Sequence, residues 1–194
     1  MATYIYEGPR KNREGMSLNL RDDHEVLMWL MRMCYGEGGK KCSWEKASTM
    51  LWSMVNRWFL HPGQKHWPTF QYMVRRFSQP INPRWQRDGD KAIEYAGTKF
   101  ASESRLRRRE KICKLTMEDI PELIYDAVMD FSHGALFLPP QVTEIDKPRI
   151  SNWASLPSTP RKYPHGIDID GDWFFEDREL VDGRVFIVDD LDEG

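Results

Sequence analysis

Asp22-Asp23-His24-Glu25-Val26-Leu27-Met28-Trp29-Leu30-Met31-Arg32-Met33-Cys34-Tyr35-Gly36-Glu37-Gly38-Gly39 is the stretch on which the fold turns. Asp22 with Glu25 three residues on has the form of a capping box, which satisfies the first free amides of a helix. Leu27, Leu30, Met31 and Cys34 recur at i, i+3, i+4 and i+7 and predict one buried helical face over about residues 23–36. Glu37 falls three residues beyond Cys34, on the same inward face, where Gly36, Gly38 and Gly39 predict the end of the helix. A carboxylate there sits at the negative end of the helix macrodipole. Partial burial acts in the same direction, so both favour the neutral acid. A Glu held protonated near neutral pH is what general-acid catalysis requires. Solvated Glu residues also end helices, and these residues alone leave both readings open.

The rest of the chain bounds the class. At 194 residues it is long enough for one good core and is expected to form a single domain with appendages. A charged fraction of 30% beside 40% hydrophobic residues is that of an ordinary globular protein. No apolar run approaches the roughly 20 residues of a membrane helix. The N-terminus lacks the apolar stretch of a signal peptide, so synthesis and folding in a cytoplasm are expected. Cys34, Cys42 and Cys113 are odd in number and show no CxxC spacing, which predicts free thiols, with Cys34 in the core. Charge is strongly segregated: residues 1–114 carry 22 Lys/Arg against 12 Asp/Glu, and residues 115–194 carry 6 against 18. The basic half suits an anionic polymer, or the two halves attract each other or neighbouring subunits.

Along the chain, residues 1–21 read as an extended arm containing Thr3-Tyr4-Ile5-Tyr6. Ser43 is the expected N-cap of a second helix, in which Ala47, Met50, Leu51, Met54, Val55 and Trp58 keep helical spacing. His61-Pro62-Gly63 predicts a turn, and Trp67-Pro68-Thr69 opens a shorter helix reaching Arg76. A basic helix is expected over about 90–111. Thr116 with Asp119 predicts a capped helix whose inward face is Ile120, Leu123, Ile124, Ala127 and Val128. Leu136–Leu138, Trp173–Phe175 and Val185–Val188 are short apolar runs that predict strands. The fold class is therefore α+β and mainly helical, with a small β element near the C-terminus. Its boundaries are an arm at 1–21, the main domain at 22–176, and a strand with an acidic tail at 177–194.

The order of motifs resembles the SleB-like cell-wall hydrolases, spore-cortex-lytic enzymes and their phage relatives, within the lysozyme-like superfamily. Glu37-Gly38-Gly39 stands where that family has a Glu-Ala-Arg-Gly-type segment, and Val55-Asn56-Arg57 matches its Val-x-Asn-Arg pattern. Phe77-Ser78 and Asn82-Pro83 match a Phe-Ser loop and a downstream Asn-Pro. Asp130-Phe131-Ser132-His133-Gly134-Ala135-Leu136-Phe137 aligns with Asp-Pro-Thr-x-Gly-Ala-x-x-Phe, and Ile169-Asp170-Gly171-Asp172-Trp173-Phe174 approximates Ile-Gly-Asn-His-x-Phe. The resemblance covers about residues 24–176. It departs at Arg76 (usually Gln), at a Phe77–Asn82 segment one residue longer than usual, and at Phe131, Ser132 and Asp172, which replace Pro, Thr and His.

The resemblance implies a lysozyme-like domain that cleaves the MurNAc–GlcNAc bond of a peptidoglycan strand, as a lytic transglycosylase or muramidase, with Glu37 as the single acid. It sets Ser78 and Asn82 along a cleft, to bind substrate or simply to form the turn. Asn56 on the second helix is to bind sugar, orient Glu37 or fill a polar gap in the core. Ser132 and His133 are to bind substrate or bond to the backbone around the site. Tyr35 and Trp85 are candidates to stack on sugar rings. Glu45 is the one conceivable second carboxylate. No cofactor is expected, and the five scattered His give no metal-like spacing. Incorporation into a phage virion is expected, with the N-terminal arm and acidic tail contacting other virion proteins. Two alternatives accompany this reading: an inactive lysozyme-like connector of a phage particle, and a nucleic-acid-binding protein using Arg105-Leu106-Arg107-Arg108-Arg109-Glu110-Lys111. For the second, no base-reading motif accompanies the arginines.

Overall fold

In a computed structural model, the structure describes residues 2–13, 16–20, 23–83, 85–88, 91–94, 103–134, 149–155, 163 and 165–189. The described part is an α+β fold of five helices and three small antiparallel sheets. The helices are α1 (His24–Gly38), α2 (Trp44–Leu60), α3 (Phe70–Phe77), α4 (Glu103–Cys113) and α5 (Glu122–Ser132). The strands are β1 (Ala2–Glu7), β2 (Ser17–Asn19), β3 (Trp85–Asp88), β4 (Lys91–Glu94), β5 (Asn152–Ser155), β6 (Gly166–Ile169), β7 (Asp172–Phe175) and β8 (Arg184–Asp189). They form the sheets β2-β1-β8, β3-β4 and β5-β7-β6.

The centre of the molecule is α2, which packs against α1, α3, α5, β5 and β8. Its apolar positions are buried except Trp44 and Trp58, which are half-buried, and Lys46, Ser48, Thr49, Ser53, Asn56 and Arg57 are buried too. A polar group taken from water must find a protein partner or cost stability. Thr49 and Ser53 bond back to the carbonyls of Glu45 and Thr49, four residues earlier, at 2.7 and 2.8 Å. Asn56 and Arg57 instead reach out of the helix. The Asn56 amide donates to the Ile150 carbonyl at 2.8 Å, and Arg57 Nε donates to the next carbonyl, Ser151, at 3.1 Å. Arg57 also pairs with Asp177 at 3.1 Å and lies 3.8 Å over the Phe77 ring. The Val-Asn-Arg motif thus docks the start of β5 onto α2.

Residues 2–7 are not a free arm. β1 is the middle strand of its sheet, paired with β2 and, over six residues, with β8. Tyr4 is fully buried in the core, its ring 5.0 Å from Phe131, and its hydroxyl donates to the Phe131 carbonyl at 2.6 Å. The N-terminal strand and the strand of 177–194 are therefore parts of one structure. The acidic residues 190–194 lie outside the described residues, as does Leu136–Leu138.

Local signals were read correctly in kind but displaced in detail. The N-cap of α1 is Asp23, whose carboxylate accepts from Val26 N–H at 3.0 Å, rather than Asp22; Glu25 accepts from Gln71 on α3. The helix also runs through Gly36 to Gly38, so Glu37 lies inside its last turn. Ser43 and Thr69 cap α2 and α3 as expected. Asp119 accepts from both the N–H and the hydroxyl of Thr116, but this box caps a short 3-10 turn, and Pro121 separates it from α5. Leu123 consequently faces outward, 53% exposed. The basic helix begins only at Glu103, because residues 85–94 form the β3–β4 hairpin.

Removing the Tyr4 hydroxyl tests how strongly the N-terminal strand is locked in. Tyr4→Phe leaves the ring in place and removes one donor from the Phe131 carbonyl, which keeps Gly134 N–H, so a loss of about 0.5–1.5 kcal/mol is expected in urea unfolding. A change below about 0.5 kcal/mol would show that this bond is immaterial to the lock.

Candidate active site

Three glycines shape the end of α1, each for its own reason. A Cβ on Gly36 would lie 2.6 Å from Pro80 Cβ, and one on Gly38 would collide with Cys42 Sγ. Gly39 has φ +75° and returns its N–H to the Tyr35 carbonyl at 2.9 Å, closing the helix. The close approach of Pro80 brings with it the loop after α3. Ser78, fully buried at the C-terminal end of that helix, donates its hydroxyl to Glu37 Oε1 at 2.8 Å. The backbone N–H of Gln79 also acts on this carboxyl and favours its ionised form.

Glu37 is half-buried. Burial pushes its pKa above the ordinary carboxylate range and outweighs the Ser78 hydrogen bond, the Arg108 cation and the Gln79 N–H, which pull it down. The charge of Asp172 adds to the upward push. Asp172 is placed by the β6–β7 hairpin, whose two-residue turn is Asp170 (φ 51°) and Gly171 (φ 79°), the Asp-Gly signature of a tight hairpin turn. It pairs with Lys46 of α2 at 2.8 Å, both side chains largely buried, and Lys46 also donates to the Asp170 carbonyl at 3.2 Å.

The expected site residues divide. Glu37 and Ser78 meet directly. Asn82 lies at the far end of the same loop and closes it, donating its amide to the Arg76 carbonyl at 2.7 Å. Asn56 is turned to Ile150 and not to Glu37. Ser132 and His133 bond within the end of α5: Ser132 Oγ donates to the Met129 carbonyl at 2.8 Å, and His133 Nδ1 lies 2.7 Å from the same oxygen. Tyr35 is two residues from Glu37 on a helix, about 200° around it, so the two side chains leave α1 in nearly opposite directions. Trp85 is on β3, and its side chain lies outside the described ones. Among the described residues, no three His, Cys, Asp or Glu side chains group as a metal site requires.

Four participants were missed as site residues: the Gln79 amide, Lys46, Asp172 and Arg108. The Asp-Gly dipeptide signalled the hairpin that carries Asp172, yet nothing local tied it to Glu37. Arg108 stood within a charge run and had no signal of its own. No protein-family model, curated protein or solved structure matches the chain.

The raised proton affinity of Glu37 has a consequence for stability. A carboxyl whose folded pKa exceeds its unfolded one is neutral in both states well below the ordinary Glu value of about 4.3, and no cost arises there. Above the raised folded value, ionisation costs folding free energy. Glu37→Gln should therefore raise the urea midpoint at about pH 8 and leave it nearly unchanged at about pH 3. A lower midpoint at the higher pH would contradict the shift.

Proposed function

We propose that this protein cleaves the glycosidic bond between N-acetylmuramic acid and N-acetylglucosamine in peptidoglycan, with Glu37 as general acid and then general base. One observation carries the reading: the Ser78–Glu37 hydrogen bond, which joins residues 41 apart in sequence. It unites the acid with the loop that the resemblance to SleB-like hydrolases sets along the substrate.

The chemistry uses a single carboxyl. Neutral Glu37 gives its proton to the glycosidic oxygen as the bond from that oxygen to the muramyl C1 breaks and C1 takes on oxocarbenium character. The carboxylate left behind accepts the hydrogen bond of Ser78 Oγ–H and is favoured by the nearby Gln79 N–H. It then removes the proton of the muramyl C6 hydroxyl as that oxygen bonds to C1. A 1,6-anhydro end forms and the neutral acid is restored. Water in place of the C6 hydroxyl gives hydrolysis in the same site. Transglycosylation is favoured because Asp172, the nearby second carboxylate, is engaged by Lys46 and is not free to act as a base.

Three arginines of α4 argue against the nucleic-acid alternative. Arg108 and Arg109 donate to backbone carbonyls of this protein, and Arg107 pairs with Glu103 on its own helix.

Incubation of the protein with purified peptidoglycan, followed by mass spectrometry of the released muropeptides, tests the proposal. Fragments with 1,6-anhydro ends are expected, reduced at least about 100-fold by Glu37→Gln. Reducing ends would assign the same site to hydrolysis. No release by the wild type, or equal release by the variant, would overturn the reading.

A further inference from the structure

Two adjacent side chains of the arginine run of α4, Arg108 and Arg109, end at the acid's supports. The Gly36 carbonyl follows that of Tyr35, which accepts from Gly39 N–H, the cap that closes α1. It belongs to the last turn, whose carbonyls lack partners within the helix. Arg108 donates to it at 2.6 Å, one residue before Glu37. Arg109 Nε donates to the Asn82 carbonyl at 2.8 Å, at the end of the loop that begins with Ser78 and Gln79. The same loop is held internally by the Asn82 amide on Arg76. Adjacent residues of one helix thus grip the two backbone segments whose meeting creates the Ser78–Glu37 hydrogen bond.

We propose that Arg108 and Arg109 are positioning residues, clamping the end of α1 to the Ser78–Asn82 loop so that α4 sets the geometry around Glu37. Neither touches substrate in this scheme. Arg108 has a second effect that Arg109 lacks. Its cation offsets the negative end of the α1 dipole beside Glu37 and favours the carboxylate. The charged and titratable groups acting on Glu37 or on its partners are Arg108 from α4, Asp172 from β7 with its partner Lys46 from α2, Cys34 from α1, and Cys42 from the following loop. Arg108 is the cation among them that is not already paired with Asp172.

The clamp rests on Glu37 being the acid of the proposed reaction, but it is tested without peptidoglycan, so a failure to cleave would overturn the glycosidase reading alone. Amide hydrogen exchange of the full chain reads the geometry: protection of the Ile81 and Asn82 N–H groups, which donate to the Ser78 and Gln79 carbonyls within the loop, is expected to fall at least about tenfold in Arg108→Gln and in Arg109→Gln. Arg107→Gln, which removes only a pair with Glu103, should leave it unchanged. A double-mutant cycle reads the charge. At about pH 8, Arg108→Gln should lower the urea midpoint more in the wild type than in the Glu37→Gln background, and the difference should vanish at about pH 3. Protection of these loop amides within about twofold of wild type in both clamp variants, or an equal loss in Arg107→Gln, would overturn the clamp. A cycle without coupling at the higher pH would overturn the charge role of Arg108.

Discussion

A helix surrounded by protein has no water for its polar side chains, and that constraint on α2 organises the molecule. Lys46, Asn56 and Arg57 must be satisfied by other parts of the chain, and each selects a partner about 100 residues later. Asn56 and Arg57 take the consecutive carbonyls of Ile150 and Ser151, fixing where β5 begins. Lys46 takes Asp172 and the Asp170 carbonyl, fixing the β6–β7 turn at the other end of the helix. With both ends held, the β5-β7-β6 sheet has one place to sit. Asp172 then comes within electrostatic reach of Glu37. Leaving any of these groups unpartnered in the core would cost about 1–3 kcal/mol, and more for the charges.

The segregated charge is explained by the same physics. Among the described residues, Lys46–Asp172 and Arg57–Asp177 join the basic half to the acidic half. Other arginines satisfy carbonyls at helix ends. Arg13 donates to Phe59 and His61 where α2 finishes, Arg32 to Leu115 just past α4, and Arg108 to Gly36 in the last turn of α1. A guanidinium suits this work because it carries several donors and stays charged, which also complements the helix dipole. The arginines that suggested an anionic partner are in large part internal fasteners.

Sequence periodicity revealed what is local. The inward face of α1, the caps Ser43 and Thr69, and the core position of Cys34 follow from spacing and side-chain chemistry within a few residues. Ser78 came from a motif order and meets Glu37 as a neighbour. What failed was non-local. Tyr4 sits in a short alternating run that looks like an arm unless β8 is known to lie beside it. Asn56 was open to sugar, to Glu37 or to a polar gap in the core, because a motif names a residue without saying where its amide points; the amide goes to Ile150. Leu123 lost its core place because Pro121 shifted the start of α5. Asp172 entered as a departure from a pattern, although, paired with Lys46 of α2, it is the carboxylate whose charge reaches the acid from the sheet side.

Glu37 joins these levels. Glycines let its helix approach Pro80, the approach delivers Ser78 and Gln79, and burial there favours the protonated form. Titration of the Glu37 side-chain carboxyl by carbon-13 NMR in the wild-type protein, with Glu37→Gln used to assign its signal, tests this most directly. The account expects a midpoint clearly above the ordinary Glu value of about 4.3. A midpoint at or below that value would contradict it, because such a carboxyl would be ionised at neutral pH and would have no proton to give.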